Sequence, residues 1–144
     1  TGEQLRILEA TDVPIEAGDI GSDPDSDIDA SLNGVVVDAL IGYGLSGALR
    51  GPAAELVDAT SDAAGQIVSL DVPSGVDATT GEALGAAVDP DLTATLALPK
   101  TGLAAVSGDL LLVDLSIPAT VYDHVGVEYE APFGDAFAVS LSRV

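Results

Sequence analysis

The chain has 144 residues, enough for one domain around a single core and too few for a multidomain machine. Lys and Arg total 4 against 24 Asp and Glu, a formal charge of −20 that repels a phosphate backbone and argues against nucleic-acid binding. At 47% hydrophobic residues the chain is too apolar to stay disordered, and with no cysteine it has no disulfide, catalytic thiol or zinc finger.

Residues 1–10 carry Leu5, Ile7 and Leu8 at helical spacing, with Thr1 and Gln4 placed to form a capping box, and predict a helix. A short extended piece over 13–16 leads into the acidic stretch 18–29, whose five Asp predict a solvated loop. From residue 35 the pattern alternates: a buried strand over 35–41, a helix over 52–64 and a second strand over 67–72. The helix rests on Pro52 in its first turn, Leu56 and Val57 facing one way and Gly65 past its end. Strand, helix and strand make a βαβ unit, and the apolar runs 92–98 and 110–115 extend the sheet. The loop 73–90, rich in Gly, Thr and Pro, is long for a mere connection; such loops at strand ends of open α/β sheets line ligand sites.

Gly42, Gly44 and Gly47 satisfy a G-x-G-x-x-G spacing after a strand, with Asp71 24 residues beyond, where a ribose-binding acid would fall. The signal for a redox dehydrogenase is weak, because the next helix starts only near Pro52, too late to aim its N-terminus at a pyrophosphate. Asp38 interrupts an otherwise apolar strand. Its charge calls for compensation by several donors or by a bound cation, unless it merely reaches solvent or caps a turn. Asp71 ends a buried strand beside Pro73, Gly75 and Gly81, which shape a turn presenting Ser74. Partial desolvation is expected to raise the Asp71 pKa toward neutrality, giving a proton-exchanging group; an Asx turn is the alternative.

Four ordered segments, DALIGYGLSG, LDVPSGVDATTG, DLTATLALPKTGL and GDLLLVDLSIP, resemble the NAD(P)H-hydrate epimerases, the YjeF N-terminal domain family. The resemblance spans about residues 35–118 and fits the first thirty poorly. It implies a Rossmann-like three-layer α/β/α sandwich with a mostly parallel sheet, formed by residues 1–144 as one domain. It also implies an isomerase that interconverts the R and S epimers of hydrated NADH and NADPH. Carried over by position, Asp38 and Ser74 are potassium ligands. Gly42, Tyr43, Gly44, Leu45, Ser46, Gly47 and Ala48 contact the hydrated dinucleotide, and Asp71 binds substrate and serves as the acid/base.

One departure stands out. The family's upstream asparagine- and glycine-rich loop, which supplies a potassium ligand and cradles phosphates, has no counterpart; Asn33 is the sole asparagine and lies in another context. The chain therefore reads as the C-terminal part of the domain. Lys100 is expected either to face phosphates or to form a surface salt bridge, Asp77 to support the Ser74 loop, Asp89 and Asp91 to flank a solvated turn, and Tyr122 and His124 to lie in a polar segment without catalytic work.

Competing readings are a non-catalytic interaction or nucleotide-binding module, a second copy of the chain as partner in a homodimer, and half of a fused epimerase/dehydratase. No apolar run reaches the ~20 residues of a membrane helix. The acidic shell over an aromatic-poor core suggests adaptation to molar salt, in a cytoplasmic setting.

Overall fold

The computed structural model describes residues 2–11, 13, 15, 34–61 and 65–143. The expected Thr1 cap and the acidic stretch 18–29 lie outside them, as do Pro14 and Glu16 of the 13–16 piece.

The first strand, β1 (Val35–Asp38), is shorter than the apolar run that announces it. Its last residue is the buried carboxylate of Asp38, around which the chain turns away, so 39–41 leave the sheet. Helix α2 (Pro52–Ser61) starts on Pro52, whose missing N–H is one of the helix's orphan donors in any case; the amides of Ala54 and Glu55 reach the carbonyl of Gly51 instead. Val57 is its fully buried contact. Residues 62–64 lie outside the described set.

The return into β2 (Gln66–Leu70) passes Gly65, where a Cβ would stand 1.9 Å from the Gly34 carbonyl oxygen. Only glycine lets the two strand entrances cross this closely. Gln66 N–H then donates to Gly34 O at 2.9 Å, and β1 and β2 pair in parallel.

β3 (Leu92–Leu96) and β4 (Asp109–Val113) continue the parallel sheet, joined by a 3-10 turn at Thr101–Ala104. Each is shorter than its apolar run. After β4 comes a helix the sequence pattern did not announce, α3 (Ala119–His124), and then β5 (Ala138–Ser140), antiparallel to β4. The sheet order is β1-β2-β3-β4-β5, a mostly parallel α/β arrangement. The 115–137 segment is not the plain polar tail expected: Tyr122 is buried and stacks on Tyr129 with centroids 4.1 Å apart.

Register places Asp38, Ser69, Thr93 and Leu110 in one row across four strands. Residues of this row and the alternating positions Ile67, Thr95 and Leu112 are buried. One cluster over this face joins Leu49, Val57, Ile67 and Val88; another joins Val72, Val76, Leu103, Val106 and Leu110. On the alternate positions Val35 and Val37 are 65% and 63% exposed, and Leu70 is exposed as well. The first helix, α1 (Gly2–Glu9), forms as its periodicity predicts, yet Leu5, Ile7 and Leu8 are all exposed.

Candidate active site

Parallel strands deliver their C-terminal ends to one edge, and here β1 ends on Asp38, β2 runs into Asp71, and β3 runs into the 97–101 turn. Asp38 is 4% exposed. Its Oδ2 accepts from Ser69 Oγ at 2.8 Å and from the Ser74 amide at 2.9 Å; its Oδ1 accepts from Ser74 Oγ at 2.6 Å, with the Leu40 amide at 3.4 Å. Neutral donors therefore compensate the buried charge, and the carboxylate does not reach solvent. Ser69, a donor that the sequence pattern concealed inside an apolar strand, is part of that compensation.

Ser74 is 1% exposed and sits on a tightly folded loop. Leu84 N–H bonds to the Gly75 carbonyl at 3.1 Å and Val88 N–H to the Ser74 carbonyl at 2.8 Å. Asp77 supports this loop as expected: its Oδ1 accepts from the Thr79 and Thr80 amides, both at 2.8 Å, which holds its carboxyl below the usual range.

Asp71 lies just past β2 with φ of +72°, a left-handed conformation that Asp tolerates better than most residues. Its Oδ2 accepts from the Tyr43 amide at 3.2 Å, and its Oδ1 takes the Leu96 amide at 3.3 Å and an ion pair from Lys100 Nζ. The expectation of a raised pKa is overturned. Burial does push it upward, but the Lys100 hydrogen bond, the Tyr43 amide, the Lys100 charge and the Leu96 amide together bring it below the ordinary value. Lys100 forms a salt bridge, as one of its two readings had it, but a half-buried one across 29 residues rather than an ordinary surface pair.

The glycine-rich segment ties the two acids together. The Ile41 amide donates to Ser74 Oγ at 3.0 Å, and two residues later the Tyr43 amide donates to Asp71. Between them, a Cβ at Gly42 would lie 3.0 Å from Asp71 Oδ2, so this glycine permits close backbone approach. Gly44 and Gly47 have φ of +109° and +92°. Tyr43 is 75% exposed, and Ser46, Gly47 and Ala48 are also exposed. Leu45 is partly buried against the Leu49–Val57 cluster. No helix begins within this glycine segment, in keeping with the weakness of the dehydrogenase signal.

A cavity of about 410 Å³ is lined by Tyr43, Ala78, Thr79, the 96–99 turn, Lys100 and Thr101; Asp71 is not in its wall but is bonded to three residues that are, Tyr43, Leu96 and Lys100. Ala97, on its wall, has φ of +61°, a strained conformation for alanine and one that no sequence signal marked. A second cavity of about 300 Å³ shares Pro99, Lys100 and Thr101 with it.

Among the described residues no cluster of three His, Cys, Asp or Glu side chains is placed to hold a metal ion. The oxygen donors around Ser74 are of another kind: the Asp38 carboxylate, the Ser74 hydroxyl and the Ile41 carbonyl, which lies 3.3 Å from Ser74 Oγ. An all-oxygen set with one carboxylate fits a hard cation of low charge.

The lesser candidates fall away from the site. His124 Nδ1 contacts the Thr120 carbonyl at 2.7 Å on exposed α3. Asp89 and Asp91 are not merely solvated: Asp89 holds Ser107, and Asp91 Oδ2 accepts the Ile67 amide at 2.8 Å, pinning the start of β2.

A family model described as YjeF-related protein N-terminus matches residues 2–102. Over 144 aligned residues the chain is 44% identical to an NAD(P)H-hydrate epimerase of Dehalogenimonas lykanthroporepellens, covering 99% of this chain and 56% of that protein. It is 41% identical over 95 residues to a bifunctional NAD(P)H-hydrate repair enzyme Nnr of Hyperthermus butylicus, covering 64% of this chain and 18% of that protein. The chain thus spans about half the length of the first of these curated relatives and about a fifth of the second. The crystal structure of the yeast protein ynu0 shares the fold, with a TM-score of 0.56 at 23% identity over 73% of this chain and 45% of that one.

Proposed function

From the premise that the chain belongs to the YjeF-related N-terminal family, we propose that it is an NAD(P)H-hydrate epimerase, interconverting the R and S forms of hydrated NADH and NADPH. The observation that carries this reading is a cavity of about 410 Å³ at the strand ends whose wall includes Tyr43, Leu96 and Lys100, the three residues that hold the Asp71 carboxylate. That volume suits the nicotinamide end of a dinucleotide, and the exposed ring of Tyr43 offers it an aromatic surface.

The chemistry follows from the substrate. Its hydroxyl-bearing carbon adjoins a ring nitrogen, so the nitrogen lone pair can form C=N as the C–O bond breaks and water departs. Water then adds to the opposite face, and the C=N pair returns to nitrogen. The departing hydroxyl takes its proton from solvent and leaves as water; Asp71, as a carboxylate, stabilises the planar cation by its charge, accepts the proton of the water that adds and releases it to solvent. The segment Gly42–Ala48 approaches the substrate with backbone rather than bulk, apart from Tyr43, while Leu45 keeps the segment anchored in the core.

Asp38 and Ser74 are the proposed potassium ligands, supported by the oxygen-only donor set around Ser74. Bound there, the ion would contribute fixed positive charge to a chain with few cations of its own.

A second reading is favoured by the exposed Val35, Val37 and Leu70 and by the half-length match to curated relatives. In it the chain is a non-catalytic module that docks on a dehydratase, fused or separate, or on a second copy of itself.

A coupled assay separates the two. An S-specific dehydratase, given excess R-hydrate in potassium buffer, consumes it faster on addition of this chain if the chain is an epimerase. Consumption fixed at the spontaneous rate would leave only the docking reading.

A further inference from the structure

Lys100 is the one lysine in a chain carrying 24 acidic residues, and among the described residues it pairs with a single acid, Asp71. Its ammonium has three N–H donors and meets three oxygens: Asp71 Oδ1, the Leu96 carbonyl at 2.9 Å and, more loosely, Thr95 Oγ1 at 3.4 Å. Held this way, with 16% of its side chain exposed, it gives up the rotamer freedom that surface lysines keep. The backbone on both sides of the pair is fixed in left-handed conformations, at Asp71 and at Ala97. Strain of this kind persists only where the surroundings enforce it.

The two oxygens of Asp71 are treated differently. Oδ1 carries the ammonium and the Leu96 amide, which occupy its lone pairs. Among the described residues Oδ2 carries the Tyr43 amide alone and lies against Gly42, where a Cβ would stand 3.0 Å away. We propose that Lys100 is a positioning residue for the epimerase reaction: by anchoring Oδ1 it keeps Asp71 an oriented anion and makes Oδ2 the oxygen that exchanges the proton. This rests on the epimerase reading of the same site.

The groups acting on Asp71 come from three directions. The loop after β1 presents the Tyr43 amide, the end of β3 the Leu96 amide, and the following turn Lys100, the one charged side chain acting on it among the described residues. Removing that charge leaves burial unopposed by an ion pair, so the acid limb of activity moves toward neutral pH.

The test compares wild type with Lys100→Met and Lys100→Arg on hydrated NADPH, together with a 13C NMR titration of the Asp71 carboxyl in each. Lys100→Met is expected to lower kcat about 10²-fold with KM held within about threefold, and to raise the acid limb. Lys100→Arg, which keeps the charge, is expected to hold the acid limb at its wild-type pH. A purely structural lysine would lower the melting temperature of Lys100→Met while kcat per folded molecule and the acid limb stay unchanged, and that result overturns the proposal. If the wild-type chain has no epimerase activity, the functional reading fails, but the NMR titration still decides the anchor: an Asp71 midpoint unmoved in Lys100→Met overturns it. Should Lys100→Met not fold, Lys100→Gln takes its place. Should neither fold, Lys100→Arg alone decides, since a displaced acid limb there contradicts the account.

Discussion

Asp71 combines a left-handed backbone, a single strong cation and two amide donors, and each has a consequence that solution measurements read. Because its folded pKa lies below the ordinary 3.8, the ionised form is the one that favours folding. That contribution is complete above the ordinary value and is lost as pH falls through it toward the folded value. Urea unfolding from pH 6 to pH 2.5 should therefore show a steeper loss of stability for wild type than for Asp71→Asn, with the two curves separating only above the acid transition. Gly42 sets the space beside Oδ2. A methyl there stands 3.0 Å from that oxygen and 3.4 Å from the Asp71 Cβ, so Gly42→Ala must shift the carboxylate by a few tenths of an ångström. Fold stability should change by no more than about 1 kcal/mol, while kcat falls on the order of tenfold, because small misplacements of a reacting group are costly. Unaltered kcat in a folded Gly42→Ala chain would show that Asp71 Oδ2 has no part in proton transfer.

At the level of elements, the loop between β2 and β3 does what a helix does in most parallel crossovers, and it depends on glycine to fold so tightly. Gly75 has φ of +93°, and a Cβ there would lie 2.1 Å from the Ala86 carbonyl oxygen and 2.6 Å from the Ala87 Cα. Gly75→Ala should cost about 3 kcal/mol or more, since backbone cannot retreat as a side chain does. The loss is read from the urea midpoint, and an unchanged midpoint would mean that the 73–90 loop is not as rigid as its hydrogen bonds imply. The strands and α2 were legible from apolar runs, Pro52 and Gly65, because these are local signals. Their ends were not: hydropathy runs on through Ile41, Leu98 and Leu115, while the strands stop where carboxylates and turns take over the backbone's hydrogen bonds. Helix α3 and β5 were hidden because their burial comes from distant partners, Tyr129 for Tyr122 and β4 for Ala138–Ser140. At the site the motif segments and Asp71 could be picked out. The direction of its pKa could not, because it turns on a lysine 29 residues away. Ser69 was likewise concealed, since nothing in an apolar strand marks one serine as facing Asp38 across the sheet.

For the whole molecule, a net charge of −20 is the dominant electrostatic fact. Mutual repulsion across such a surface is felt over about 10 Å in 0.1 M salt and about 3 Å at 1 M. Thermal unfolding should shift upward by several degrees between 0.1 and 2 M KCl, on the order of 1 kcal/mol or more of added stability. Potassium and sodium chloride should act alike in that range, because screening ignores ion identity; a difference confined to low millimolar potassium would instead report the Asp38–Ser74 ligands. The exposed Val35, Val37 and Leu70 contrast with this acidic surface, and association through them should grow as salt rises.

The account turns on whether Asp71, anchored at the strand ends, moves a proton on a hydrated nicotinamide. The direct measurement starts from one purified epimer of hydrated NADPH and follows the appearance of the other by chromatography, with wild type and with folded Asp71→Asn. The account predicts approach to the epimer equilibrium at a rate proportional to wild-type protein and a fall of at least about 10²-fold for the variant. Equal rates for the two proteins, or a wild-type rate no greater than the spontaneous one, would contradict it.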